Sequence, residues 1–183
     1  MTVCVALLRG INVGRAKRIA MADLRELVEG LGPTHVRTLL NSGNVVFDVS
    51  RPNVGKLARA IGAGIEEQCG FSAATVVITA ADLDAIVREN PLRVVARDPA
   101  KYLVAFVSDP SILTTARPLL EESWAPDAFA VGTRAAYLWC ANGVLASRLL
   151  QAFARLTGEA ATTRNWSTVL KLRAVACPDQ EAR

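Results

Sequence analysis

With 183 residues, 51% of them apolar, the chain has enough hydrophobic material to bury a core without staples, which excludes a disordered polypeptide. A net charge of +4 is too small to name a polyanionic partner. The longest apolar runs, Val3–Leu8 and Ala73–Ala81, fall far short of the ~20 residues that cross a bilayer, which excludes a spanning helix.

The chain enters its first apolar run after two residues, with no basic stretch before it and no small-residue cleavage site after it, so a cytoplasmic location is expected. Val3–Leu8 reads as a central strand, and Met21–Leu31 as a helix with Leu24, Leu27, Val28 and Leu31 at helical spacing, stopped by Gly32-Pro33. Two strand-like runs follow, His35–Leu40 and Val45–Val49. They are separated by Asn41-Ser42-Gly43-Asn44, whose turn chemistry predicts a hairpin. A helix over about Asn53–Gln68 and a strand over Thr75–Thr79 complete a β-α-β-β-α-β order.

A linking helix near Asp82–Asn90 ends at Pro91, and the order then begins again. Lys101–Ser108 reads as a strand, Ser111–Trp124 as helical, Phe129–Val131 and Ala136–Cys140 as strands, and Val144–Leu156 as a helix. A final helix from about Thr163 to Cys177 stands where a fourth strand would complete the repeat. The expected fold is α+β: two ferredoxin-like halves in tandem, the second ending in an extra C-terminal helix. The halves are drawn as 1–80 and 101–183, with 81–100 as the linking helix and loop. No convincing residue-level identity relates them, and a single continuous mixed sheet is the alternative.

Cys4, Cys69, Cys140 and Cys177 lie far apart with no C-x-x-C pair, and His35 is the one histidine. Neither a disulfide framework nor a metal site is expected, and no cofactor. The positive charge is placed unevenly. Residues 1–22 carry Arg9, Arg15, Lys17 and Arg18, and residues 160–178 carry Arg164, Lys171 and Arg173, with no acid in either segment. The rest of the chain is net acidic.

Three polar segments could carry chemistry. In Leu8-Arg9-Gly10-Ile11-Asn12-Val13-Gly14-Arg15-Ala16-Lys17, the glycines let backbone N–H groups approach an anion ahead of a helix start. The spacing fits neither the phosphate-loop nor the dinucleotide pattern, and a strand-to-helix crossover needing permissive φ angles explains it equally well. The hairpin tip Asn41–Asn44 has a plain turn as its simplest explanation, and Ser42 lacks a nucleophile elbow. Thr162–Thr168, read as opening the last helix, offers a threonine cap, while Arg164 and Lys171 suit an oxyanion and Trp166 suits a core anchor.

Together the blocks Ala6–Gly14, Met21 with Leu24, Val36-Arg37-Thr38, Ser42–Phe47 and Thr163–Trp166 with Thr168 and Lys171-Leu172 resemble the bacterial family called domain of unknown function 1697. The resemblance runs from residue 3 to about 175. It implies two ferredoxin-like halves and leaves the biochemical function unassigned. The signature positions it implies are Arg9, Gly10, Asn12 and Gly14, then Ser42, Gly43 and Asn44, then Thr163, Arg164, Asn165, Trp166, Thr168 and Lys171. Lys17 joins them on charge. The chain departs from the family pattern at Arg15, where a second glycine is frequent, at Leu39 in place of a common tyrosine, and at Ser167 in place of a common asparagine.

The favoured expectation is a small anionic or phosphorylated ligand bound where the three segments converge. Nucleic-acid binding is the alternative, motivated by the repeat topology and by Tyr102, Phe106, Tyr137 and Trp139 at alternate strand positions. A structural or interaction role, with the polar blocks satisfying a buried seam, is the third class. No carboxylate pair, Cys–His pair or metal set marks an enzyme; oligomeric state and any reaction are left open.

Overall fold

The computed structural model describes residues 1–178. The second half expected from the sequence extends to Arg183, and residues 179–183 lie outside the described residues. The chain forms two compact units. One is Met1–Leu83 together with the chain from Leu172 onward, the other Asp84–Lys171.

In the first unit the order is β1 (Thr2–Leu8), α1 (Met21–Gly30), β2 (Thr34–Leu39), β3 (Asn44–Val49), α2 (Val54–Cys69) and β4 (Thr75–Thr79). Every neighbouring pair is antiparallel, in the sheet order β2-β3-β1-β4. That arrangement is two interleaved β-α-β crossovers, β1-α1-β2 split by β3 and β3-α2-β4 split by β1, which is the ferredoxin-like topology. The position of β1 follows from its sequence, for a strand apolar at every residue from Val3 to Leu8 loses least by being buried on both faces. On one face Cys4, Ala6, Leu8, Val45, Phe47 and Val77 pack against Leu24, Leu27 and Val28 of α1 and Ile61 and Ile65 of α2. Helix α2 is capped as its sequence suggests. The Asn53 side chain accepts from the Lys56 amide at 2.9 Å, and Gly70 ends the helix in the left-handed region at φ +72°.

The second unit opens in α3 (Ala80–Glu89), whose later turns belong to it. It continues with β5 (Tyr102–Val107), α4 (Ser111–Ala116), β6 (Ala128–Val131), β7 (Ala135–Trp139), α5 (Arg148–Thr157), β8 (Ala161–Asn165) and the opening of α6 (Trp166–Ala176), which passes to the first unit at Leu172. The sheet order β6-β7-β5-β8 repeats the first unit's topology. Leu103, Ala105, Val107, Ala136 and Leu138 face Leu113, Leu149 and Phe153 of the helices. Among the described residues no helix is long and apolar enough to cross a membrane.

Three helical boundaries differ from expectation. The last helix does not begin at Thr163, because Ala161–Asn165 forms the missing fourth strand, in register from Val107↔Ala161 to Leu103↔Asn165. Asn165, not a threonine, caps α6, its Oδ1 accepting from the Thr168 amide and the Ser167 hydroxyl at 3.0 Å each. The helix expected over Val144–Leu156 is divided by Ser147, whose hydroxyl accepts from the Leu150 amide at 3.0 Å and starts α5 afresh. The segment Ser111–Trp124 tightens into a 3₁₀ turn over Arg117–Glu121, where Pro118 has no N–H to continue α4.

Glu89, at the end of α3, fastens that helix to the β6–β7 hairpin. Its Oε1 accepts from the Thr133 amide at 3.1 Å and from the Thr133 hydroxyl at 3.2 Å. The Tyr137 hydroxyl donates between Ile86 O at 2.9 Å and Glu89 Oε2 at 3.0 Å, and the Tyr102 hydroxyl donates to Asn90 Oδ1 at 3.0 Å. Burial pushes both phenol pKa values well above 10.0, and for Tyr137 the Glu89 carboxylate pushes further. A folded-state pKa raised above the unfolded value gives stability that is complete below pH 10 and drains away as pH rises past it. Tyr137→Phe is therefore expected to cost about 1–2 kcal/mol at neutral pH. It is also expected to flatten the decline of unfolding free energy above pH 10, as read from urea denaturation across alkaline pH.

Candidate functional site

Between β1 and α1 the chain makes a loop anchored by buried Ile11 and Ile19. Gly10, Asn12 and Gly14 all take left-handed φ angles, +67°, +55° and +68°. Asparagine is one of the few side-chain-bearing residues that takes this conformation at little cost. Here its carboxamide is also fully used. Asn12 Nδ2 donates to Ile19 O at 2.9 Å and to Asn41 O at 3.0 Å, while Oδ1 accepts from the Ile19 amide at 3.0 Å. The Asn12 amide closes the loop on Lys17 O at 2.7 Å.

The hairpin tip meets this loop directly. The Leu8 amide donates to Gly43 O at 2.8 Å. Gly43 has φ +74°, and a Cβ placed there would stand 2.8 Å from both Leu8 Cβ and Ile11 Cδ1. Glycine is required on two counts, conformation and space. Asn44 is fully buried, and its Nδ2 donates to Leu39 O at 2.9 Å and Ser42 Oγ at 3.0 Å, tying off the turn from inside. The first two sequence-predicted blocks are thus brought together, with Asn12, Ser42, Gly43 and Asn44 contributing to the structure of the loop and turn.

The cations divide by engagement. Lys17 Nζ donates to Ser72 O at 2.8 Å, just ahead of β4. The exposed Arg18 donates to Gly14 O at 3.1 Å. It lines, with Asn12, Ile19, Ala20, Met21 and Asn41, a cavity of about 390 Å³. The first residues of α1 form part of that wall. The N-cap Ala20 makes no side-chain hydrogen bond to the first turn, where Asp23 is the one acid. First-turn N–H groups have no intrahelical acceptor, so an uncapped start leaves them to water or to a ligand. Arg18, Ala20, Met21 and Asn41 lie outside the signature positions. The signals that could have found them are the acid-free basic run and the non-capping alanine before the helix.

The third block is built into the second unit. Arg164, on β8, is buried, and its NH1 donates to Thr162 Oγ1 at 3.0 Å and to Thr163 O at 2.9 Å. Burial lowers the guanidinium pKa to about 10, so the group is still a cation at neutral pH. The Trp166 ring stacks on Tyr102 with centroids 5.0 Å apart and planes at 27°. Thr168 is buried within α6, and Lys171 is exposed there. Of the aromatics that motivated the nucleic-acid alternative, Tyr102, Phe106 and Tyr137 are each 0–1% exposed and are not available for bases to stack on, while Trp139 is half-buried.

The chain belongs to the DUF1697 family, proteins of unknown function, whose profile matches residues 1–137. Within this DUF1697 chain the matched stretch contains the whole first loop and hairpin tip, while the Thr163–Lys171 block lies beyond it. Among solved structures the chain is similar to a conserved bacterial protein, SP0830 from Streptococcus pneumoniae, at 20% identity. The likeness has a TM-score of 0.74 over 96% of this chain and 98% of that one, and it speaks to the fold alone. No curated protein matches the sequence. Among the described residues of this DUF1697 protein, no group of three or more His, Cys, Asp or Glu side chains is placed to hold a metal ion. The single histidine, His35, pairs through Nδ1 with Asp48 Oδ2 at 2.9 Å.

The two loop glycines separate conformation from space. Gly43→Ala combines a left-handed backbone with overpacking and is expected to cost about 2–4 kcal/mol. Gly10→Ala, where an added Cβ meets nothing within 4 Å, bears the conformational cost alone, about 1–2 kcal/mol. Urea unfolding midpoints of the two variants at equal m-value test that order.

Proposed function

We infer that this protein binds a small anionic ligand, of phosphate or carboxylate type, in the cavity where the first loop meets the start of α1. The observation that carries the reading is the pairing of Arg18 with an uncapped helix start in one cavity wall. A helix N-terminus favours negative charge by about 0.3–1 kcal/mol, and a charge-assisted hydrogen bond from a guanidinium adds about 1.5–3 kcal/mol. Arg9 and Arg15 belong to the same acid-free segment and extend the positive field. Asn12, Gly43 and Asn44 act as the frame: they fix the loop so that Arg18 and the α1 amides need little reorganisation when the ligand arrives. Gly10 and Gly14 supply the loop's backbone turns. Arg164, Asn165, Trp166 and Thr168 have engagements within their own unit, and the reading does not depend on them, on Thr163 or on Lys171. The six lining residues include no carboxylate, histidine, cysteine or lysine to exchange a proton, so the cavity suits charge stabilisation and not proton transfer.

The structural alternative is favoured by one observation, that both amide protons of Asn12 and both of Asn44 are spent within the fold. Thermal shifts against inorganic phosphate, nucleotides, sugar phosphates and carboxylates separate the two. A ligand at a hundredfold excess over its Kd is expected to add about 2.7 kcal/mol. Arg18→Ala is expected to abolish that gain while changing the ligand-free stability by less than about 0.5 kcal/mol, as for an ordinary surface substitution. Absence of a shift from every anion gives the structural reading.

A further inference from the structure

A second cavity, of about 240 Å³, lies wholly within the second unit. Its wall includes Ser123, Trp124, Pro126, Asp127, Asn142 and Arg148. Three segments meet there: the loop leading into β6, the loop after β7 and the first residue of α5. Asp127 holds the two loops together. Its Oδ1 accepts from the Ala141 amide at 2.8 Å and its Oδ2 from the Ser147 hydroxyl at 2.7 Å. Both donors are neutral, so the carboxylate's charge is not compensated by them, and each oxygen retains acceptor capacity. Arg148 begins α5, and its exposed guanidinium makes no hydrogen bond or ion pair among the described residues. Asp127 and Arg148 therefore face one small cavity with opposite charges and do not neutralise each other.

The apolar part of the wall is fixed as well. The half-buried Trp124 ring is held by its Nε1, which donates to Leu119 O at 2.8 Å, and it packs against the unit's core beside Pro126. The indole polar edge is satisfied within the protein, which leaves the ring as hydrophobic surface.

We propose that this cavity binds a small zwitterion, a free α-amino acid with an apolar side chain. Its carboxylate is taken by the Arg148 fork, supported by the start of α5, and its ammonium by Asp127. The side chain lies against Trp124 and Pro126, and Ser123 and Asn142 line the same wall as neutral hydrogen-bonding groups. A zwitterion matches both unpaired charges at once, whereas a simple anion or cation leaves one of them facing its own sign.

Calorimetric titration with L-phenylalanine and L-leucine tests this, beside the amide and the N-acetyl derivative of each. Binding of both free amino acids is expected, weakened at least about tenfold by amidation, by acetylation and by Arg148→Ala, since each removes one charge-assisted contact. Asp127→Asn is expected to weaken binding likewise. Arg148 is exposed, so Arg148→Ala reads the site even where Asp127→Asn perturbs the loops. Because the first-unit cavity is itself proposed to take carboxylates, each titration is repeated on Arg18→Ala, and the binding that survives there is the binding assigned to this cavity. Failure of both free amino acids to bind at millimolar concentration overturns the proposal, as does equal binding of the blocked derivatives or indifference to Arg148→Ala.

Discussion

The carboxamide of Asn12 is the interaction on which the first unit's loop geometry rests. Its two amide protons reach Ile19 O and Asn41 O, and its oxygen receives the Ile19 amide, so one side chain joins the loop's two limbs and fastens them to the hairpin tip. Three hydrogen bonds at about 1 kcal/mol each outweigh the entropy of fixing a few loop residues only because the backbone is already turned for them. Gly10, Gly14 and Asn12 itself supply that turning with left-handed φ angles, and the buried Ile11 and Ile19 anchor both ends. The cavity beside Arg18 and the start of α1 is a consequence of this closure. Without the clamp the Ile19 amide and carbonyl lose the partner that Asn12 gives them, and the approach to Ala20 and Met21 is less closely fixed.

The second unit solves a similar problem with carboxylates. Glu89 fastens α3 to the β6–β7 hairpin, and Asp127 ties the loops around α5, in each case by accepting from neutral donors. Using charged groups as loop clamps keeps their charge in place at the surface of the unit. That is how Asp127 combines a structural duty with exposure to a cavity. Arg164 shows the opposite balance. A cation buried on β8 against a threonine hydroxyl and a carbonyl loses hydration, and its lowered pKa expresses that cost.

Most of the architecture is legible in the sequence because hydrophobic periodicity reports burial directly. The all-apolar Val3–Leu8, the helical spacing of Leu24, Leu27 and Val28, and the Asn-Ser-Gly-Asn turn each correspond to an observed element. Strand β8 is not legible, since Ala-Thr-Thr-Arg-Asn has the composition of a helix start and its apolar partners come from β5, some sixty residues earlier. Site roles are harder still. Asparagine in a glycine-rich loop reads equally as ligand contact and as backbone clamp, and the clamp becomes visible only once Ile19 O and Asn41 O are in place. Arg18 is only partly legible. The acid-free run marks it only as one of four cations, and the cavity it lines is what separates it from the other three.

Amide hydrogen exchange at Ile19 tests the central role of Asn12 most directly, comparing the native chain with Asn12→Ala. If the carboxamide is the clamp, the Ile19 amide is protected in the native chain and loses that protection in the variant, while amides of β5 such as Val104 keep theirs. An Ile19 amide that exchanges equally slowly in both proteins would contradict the account, because the loop would then be held by something other than Asn12.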